Sequence, residues 1–202
     1  MQTTRGTSLS RDDNTSGGGR RRVGVLLAVA VTIVLADQLT KAWAVTQLAD
    51  GEPVQVLGEL LQFRLIRNSG AAFSLATDMT LILTIAALAV VVVILRASRR
   101  LTSLPWAIAL GGILGGALGN LTDRVFRAPK PFHGHVVDFL ELPRWPVFNL
   151  ADCAIVGSAI LVAVLSLRGV AYDSTAEPPA DPPPPDSEDT DGGADGPGTG
   201  RA

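Results

Sequence analysis

Four apolar blocks approach the ~20 residues that a helix needs to cross a ~30 Å hydrocarbon core, and they constrain this chain more than any other feature. The first runs from Val23 to about Val45 and is interrupted by Asp37 and Lys41. The second, Met79 to Leu95, carries no charge, and the third, about Leu104 to Leu121, is rich in glycine. The fourth, about Phe148 to Leu167, carries one charge, Asp152. Burial in a soluble core accommodates one such block, but hardly four in a chain of 202 residues. The expected fold class is all-α membrane: a four-transmembrane-helix bundle.

Charge gathers at the ends and in two loops, so the formal net charge of −2 hides an asymmetry. Residues 1–22 form a basic, Gly-rich extension ending in Arg20-Arg21-Arg22, and residues 169–202 form an acidic tail rich in Pro and Gly. Both have the low hydrophobicity of segments that cannot bury enough surface to offset chain entropy, so both are expected to be disordered around a four-span membrane domain at 23–168. Arg96, Arg99 and Arg100 follow the second block and Arg168 the fourth, which by the positive-inside rule places both termini in the cytoplasm. Arg64, Arg67, Arg124, Arg127, Lys130 and Arg144 in the outer loops run against that rule and need a reason of their own. Arg20–Arg22, an apolar run and Ala42-Trp43-Ala44 imitate a cleavable signal. Asp37 and Lys41 would then sit between the run and the cut, with three more blocks following, which disfavours that reading.

Polar residues converge in depth. At ~1.5 Å per helical residue, Asp37 lies roughly 20 Å from the inner end of the first span, with Lys41 one turn further out. Asn68-Ser69-Gly70 precedes the second span, Asn120 to Arg124 end the third, and Asp138 and Asn149 lie just before Asp152 at the head of the fourth. All fall at one level near the outer face. Intramembrane ionisable residues usually face a bundle interior or a wet cavity, so a site is expected there. Asp37 and Lys41, spaced i, i+4 with the acid first, suit a structural ion pair better than a catalytic lysine. Asp123 and Arg124 fit either an interfacial pair or a site-organising role. Gly111, Gly115 and Gly119 repeat at four, as do Gly112 and Gly116, a spacing that lets helices approach closely in lipid. The partly alternating segment Thr46 to Leu65 is expected to add a small β-structured extracytoplasmic platform.

Candidate nucleophiles are few. Cys153 has no histidine near it in sequence, and neither Ser69, Ser74 nor Ser158 has a Gly-x-Ser-x-Gly setting. His133 and His135, with Asp138 beyond them, match no common metal-ligand spacing, so neither a metal nor another cofactor is expected. Asp138 and Asp152 remain. Two close carboxylates resist simultaneous ionisation and share a proton: the ionised member can deprotonate water while the other polarises a carbonyl. Taken alone, Asp152 reads better as a helix cap than as a catalytic group, since an acid near an N-terminus suits the macrodipole. A transporter would place polar residues at several depths, which the nearly apolar inner halves of the blocks disfavour. A non-catalytic assembly factor would use the outer cluster for docking.

At these residues the chain closely resembles the lipoprotein signal peptidase (signal peptidase II) family over roughly Val23 to Leu167. The resemblance rests on Asp37-Gln38-Leu39-Thr40-Lys41, Asn68-Ser69-Gly70-Ala71-Ala72-Phe73, Gly119-Asn120-Leu121-Thr122-Asp123-Arg124, Val136-Val137-Asp138-Phe139 and Phe148-Asn149-Leu150-Ala151-Asp152, in that order. It implies an aspartyl endopeptidase with Asp138 and Asp152 as the catalytic dyad. Asn68, Asp123, Arg124 and Asn149 would support the site and substrate binding, with Asp37, Lys41 and Asn120 behind them. The implied substrate is a bacterial prolipoprotein carrying diacylglycerol, cut on the amino side of the lipidated cysteine. The implied setting is the bacterial plasma membrane, with membrane lipid as the other partner, no nucleic acid, and a monomer as the working unit. The Pro-rich loop Arg127-Ala128-Pro129-Lys130-Pro131 departs from the family pattern.

Overall fold

In lipid a single segment can satisfy its own backbone polar groups only as a helix, and helices form at all four apolar blocks. The computed structural model describes residues 13–70 and 78–173. The helices are α1 (Asp13–Gln47), α2 (Asp78–Ala97), α3 (Leu104–Phe126) and α4 (Leu150–Leu167), and all four are long and apolar enough to cross a membrane. Leu27, Val31, Leu35 and Leu39, four residues apart on α1, are exposed, as are Ile82, Ile85, Leu88 and Val92 on α2. So large an apolar exterior suits surrounding hydrocarbon rather than water.

The packing follows from the glycines of α3, whose two series of spacing four serve different neighbours. A methyl group on Gly111 would come within 2.7 Å of Leu26 O, and one on Gly115 within 2.8 Å of Ala30 O, both on α1. On the other side, a methyl on Gly116 would come within 2.5 Å of Ala151 O, on α4. α3 is thereby wedged between α1 and α4. Van der Waals contact between close backbones replaces a hydrophobic drive that lipid does not supply.

At one end of the bundle sits a three-stranded antiparallel sheet in the order β1-β2-β3, formed by β1 (Val54–Gln55), β2 (Gln62–Asn68) and β3 (Val136–Glu141). Trp43 of α1, Phe63 of β2 and Phe139 of β3 meet edge to face at 5.2–6.3 Å, and Ala44, Leu48 and Phe139 form a buried cluster that docks the sheet on α1. The platform expected over Thr46 to Leu65 is present in part: α1 runs on to Gln47, and β2 continues to Asn68. β3 arises in a segment read as loop. Four successive residues, Val136 to Phe139, are buried, so the alternation that marks a half-buried strand is missing.

Ordered structure extends beyond the apolar blocks at both ends. α1 begins at Asp13, inside the extension placed at 1–22; once nucleated, a helix gains a backbone hydrogen bond with each added residue. Residues 169–173, placed in the tail, dock on the opposite end of the bundle from the sheet. Tyr172 meets Trp106 edge to face at 5.5 Å, and its carbonyl accepts from the N–H of Thr102 at 3.3 Å. The Trp106 indole N–H donates to Val170 O at 2.8 Å. Residues 1–12, 71–77 and 174–202 lie outside the described residues.

The glycine packing makes a direct prediction. Gly115→Ala should lower thermal stability by about 1–3 kcal/mol through overpacking against α1. Gly157→Ala, where an added methyl meets nothing within 4 Å, should be neutral or stabilising by up to about 1 kcal/mol. Unfolding of both variants in detergent checks the difference.

Candidate active site

At the sheet end, all nine residues singled out from the sequence come together, drawn from five elements. β3 supplies Asp138. Its carboxylate accepts from Asn68 Nδ2 at 2.8 Å on one oxygen and from Asn149 Nδ2 at 2.6 Å on the other. Between Phe63 and Ile66, β2 takes three steps where β3 takes two, Leu140 to Asp138. Such a bulge turns the strand locally and re-aims its side chains. Asn68 ends β2 and is braced by the N–H of Gly70, which donates to Asn68 Oδ1 at 2.7 Å. Gly70 sits at φ 88°, a backbone region that favours glycine. The rest of that motif, Ala71-Ala72-Phe73, lies outside the described residues.

The chain then returns from β3 to α4 by pairing with itself: Phe148 and Leu140 exchange backbone hydrogen bonds at 3.0 and 2.8 Å. That pairing sets the head of α4 beside Asp138. Asn149 is the N-cap and Asp152 the third helical residue, joined in a reciprocal capping box. The capping role read for Asp152 is therefore real, but it occupies only Oδ2, which accepts from the N–H of Asn149 at 3.1 Å. Its Oδ1 accepts from Asn120 Nδ2 at 2.8 Å. Asn149 thus holds both carboxylates, Asp138 through its amide nitrogen and Asp152 through its cap.

Behind them Lys41 is fully buried, and its three ammonium donors meet three acceptors: Asp37 Oδ2 at 2.8 Å, Asp123 Oδ2 at 2.9 Å and Asn120 Oδ1 at 3.0 Å. Asp37 Oδ1 accepts from the N–H of Ala151 at 3.0 Å, which ties α1 to the first turn of α4. Arg124 is also buried, and its Nη1 has no hydrogen-bond partner among the described residues. The charges of Asp138, Asp123 and Asp152 all act on it.

Burial pushes the Asp138 carboxyl up from 3.8 to about 6. The bond from Asn68 opposes that rise, the nearby negative charge of Asp152 adds to it, and the Asn149 bond and Lys41 oppose it. A carboxyl so placed keeps its proton into the range where an ordinary partner is ionised. The remaining candidates lie apart from this network: Cys153 is exposed, and His133 Nδ1 faces Pro131 O at 3.3 Å. Among the described residues no three His, Cys, Asp or Glu side chains are grouped to hold a metal.

Two members of the network were not singled out from the sequence. Gln38 Nε2 donates to Asp37 Oδ2 and to Gly119 O, both at 3.1 Å. Arg127 Nε donates to Asp123 Oδ1 at 2.5 Å. The signal for Arg127 was present, because it follows Asp123 at the i, i+4 spacing that marked Asp37 and Lys41.

Four membrane-crossing helices with paired carboxylates at one end define a multi-pass membrane protein with the groups for acid–base hydrolysis. Residues 29–168 match the family model described as signal peptidase (SPase) II, and the chain belongs to that family, an aspartic-type peptidase family of bacterial membranes. It is 54% identical over 154 residues to the lipoprotein signal peptidase of Mycobacterium avium, covering 76% of this chain and 85% of that one. It is also 54% identical over 157 residues to that of Streptomyces coelicolor, covering 78% and 77%. Among solved structures it resembles a bacterial membrane enzyme determined by the in meso method at 1.9 Å, with a TM-score of 0.65 and 27% identity over 72% of this chain and 94% of that one.

The buried cation predicts an asymmetry between ion pairs. Lys41→Met should destabilise by about 3–5 kcal/mol, because it takes a partner from two buried carboxylates and leaves Asp37 with no cation. Arg64→Met removes a pair with Glu141 whose arginine is 48% exposed and should cost less than about 1 kcal/mol. Thermal unfolding of the two variants measures both.

Proposed function

We propose that Asp138 and Asp152 are the catalytic dyad with which this signal peptidase II family member removes the signal peptide of diacylglyceryl-modified prolipoproteins, on the amino side of the lipidated cysteine. The supporting observation is the shared hold of Asn149 on both carboxylates, together with the effect of the Asp152 charge on Asp138. Asp138, 2% exposed, carries the proton and donates it toward the scissile carbonyl oxygen. Asp152 takes a proton from water as the water oxygen bonds to the carbonyl carbon. When the C–N bond breaks, that proton passes to the leaving amine, and the hydroxyl formed at the carbonyl oxygen returns its proton to Asp138. Donors already in place for the charged groups need not reorganise during reaction.

Asn68 and Asn149 orient Asp138, and Asn120 orients Asp152. Arg124, whose buried Nη1 has no partner among the described residues, meets the substrate's carbonyl or headgroup oxygens. Asp37, Lys41 and Asp123 keep the helices in register behind the dyad. The site end faces outward. α1 enters and α4 ends at the opposite end of the bundle, where Arg20–Arg22, Arg96, Arg99, Arg100 and Arg168 gather, as the positive-inside rule expects of cytoplasmic ends. A signal peptide is itself a membrane helix cut at its outer end, so a site at that depth meets the bond while acyl chains stay in lipid.

Asp138→Asn and Asp152→Asn should each reduce cleavage of a diacylated precursor by at least about 10²–10⁴-fold while the protein still inserts and folds. Full retention of cleavage by either variant ends the assignment. With wild type, kcat/KM should fall on the alkaline side with a midpoint set by Asp138, about 6, because the raised carboxyl loses its proton as pH rises through that value. Activity that climbs through pH 6 and stays level above it contradicts the proton assignment.

A further inference from the structure

Lys41 alone leaves the buried cluster one positive charge short. Asp37 and Asp123 both have fully buried side chains and both contact Lys41, and an uncompensated buried charge is strongly unfavourable. The second cation in direct contact with them is Arg127, the residue immediately after α3, whose Nε reaches Asp123 Oδ1 at 2.5 Å; Arg124, also buried, forms no ion pair with either carboxylate among the described residues. The other oxygen of Asp123 accepts from Lys41 and, at 3.1 Å, from the backbone N–H of Val137. Val137 directly precedes Asp138, so Asp123 bolts the end of α3 to the strand that carries Asp138.

The loop between α3 and β3 is built around that bolt. The N–H of Arg127 donates to Asp123 O at 2.9 Å, the N–H of Gly134 to Arg124 O at 2.9 Å, and the N–H of His135 to Ala128 O at 3.0 Å. A side chain at Gly134 would run into the carbonyls of Asp123, Arg127 and Arg124, so the loop is pressed against the helix end. The Arg127 side chain is only 26% exposed.

We infer that Arg127 is a positioning residue for hydrolysis: by balancing and orienting Asp123, it sets the Val137 backbone and hence the placement and electrostatics of Asp138. The inference rests on the dyad reading above. Charged groups facing the pair are Asp37 and Lys41 from α1, Asp123 and Arg124 from α3, Asp138 from β3 and Asp152 from α4. Removing the Arg127 cation makes this set more negative. The protonated form of Asp138 is then favoured, and the alkaline limb of activity moves to higher pH.

The test measures kcat, KM and the pH profile for a diacylated precursor with wild type, Arg127→Gln, Arg127→Lys and, as an exposed cation of the same loop, Lys130→Gln. Arg127→Gln is expected to lower kcat about 10–100-fold, to leave KM within about twofold, and to raise the alkaline limb by about half to one pH unit. Arg127→Lys should restore the limb and most of kcat, and Lys130→Gln should match wild type. Wild-type kcat and limb in Arg127→Gln overturn the inference, as does a lowered kcat with an unmoved limb and no rescue by lysine. Should Arg127→Gln not accumulate as folded protein, Arg127→Lys decides: a kcat about two- to threefold below wild type with an unmoved limb supports the inference, and a wild-type kcat or a displaced limb overturns it. If wild type itself fails to cleave the precursor, the functional reading falls, and with it this one; cleavage by wild type with unaffected variants removes Arg127 alone.

Discussion

One ammonium group at the meeting of three helices organises this protein. Lys41 Nζ satisfies all three of its donors on Asp37, Asn120 and Asp123, and each acceptor carries the connection onward. Asp37 reaches the N–H of Ala151 on α4, Asn120 reaches Asp152, and Asp123 reaches Val137 on β3. Unpaired, a buried charge costs several kcal/mol. The arrangement therefore tolerates little slack, and the glycines of α3 are what bring the helices near enough to complete it. A side chain at Gly119 would come within 2.6 Å of Asp37 Oδ2. Helix packing and charge burial are thus one constraint.

The two proposed catalytic carboxylates arrive at the same asparagine, Asn149, by separate routes. Asp152 is set by the bundle, through the cap of α4 and the amide of Asn120. Asp138 is set by the sheet, through the β2 bulge, Asn68 and the pairing of Leu140 with Phe148. Asn149 belongs to both. Its backbone and amide oxygen cap α4 while its amide nitrogen holds Asp138, so the geometry of the pair depends on one side chain. Separate anchoring also gives two acids with similar intrinsic chemistry the different surroundings that their proposed roles require. Asp138 sits in a dry strand position, whereas Asp152 is only partly buried on the first turn of its helix.

Much of this was legible in the sequence, and the part that was not has physical causes. The four spans were readable because apolar length and isolated charges are one-dimensional signals, and the level of Asp37, Lys41, Asn120 and Asp152 followed from helical rise. The two glycine series were legible as packing, but not which neighbour each would meet. β3 was missed because burial on both faces erases alternation. Docking of Val170 and Tyr172 was hidden because a short segment beside an acidic tail shows no periodicity, and its hold comes from Trp106 and Thr102, more than sixty residues away in the chain. Arg127 was overlooked because it lies in a Pro-rich loop, although its spacing from Asp123 was on view.

The central claim is that Asp138 and Asp152 lie close enough to govern each other's proton. It is tested most directly by following the Asp138 side-chain carboxyl with ¹³C NMR as pH is varied, in wild type and in Asp152→Asn. The account predicts a wild-type midpoint of about 6, well above the ordinary 3.8, and a lower midpoint once the neighbouring charge is gone. An ordinary midpoint in wild type, or one that stays in place when Asp152 loses its charge, would contradict it.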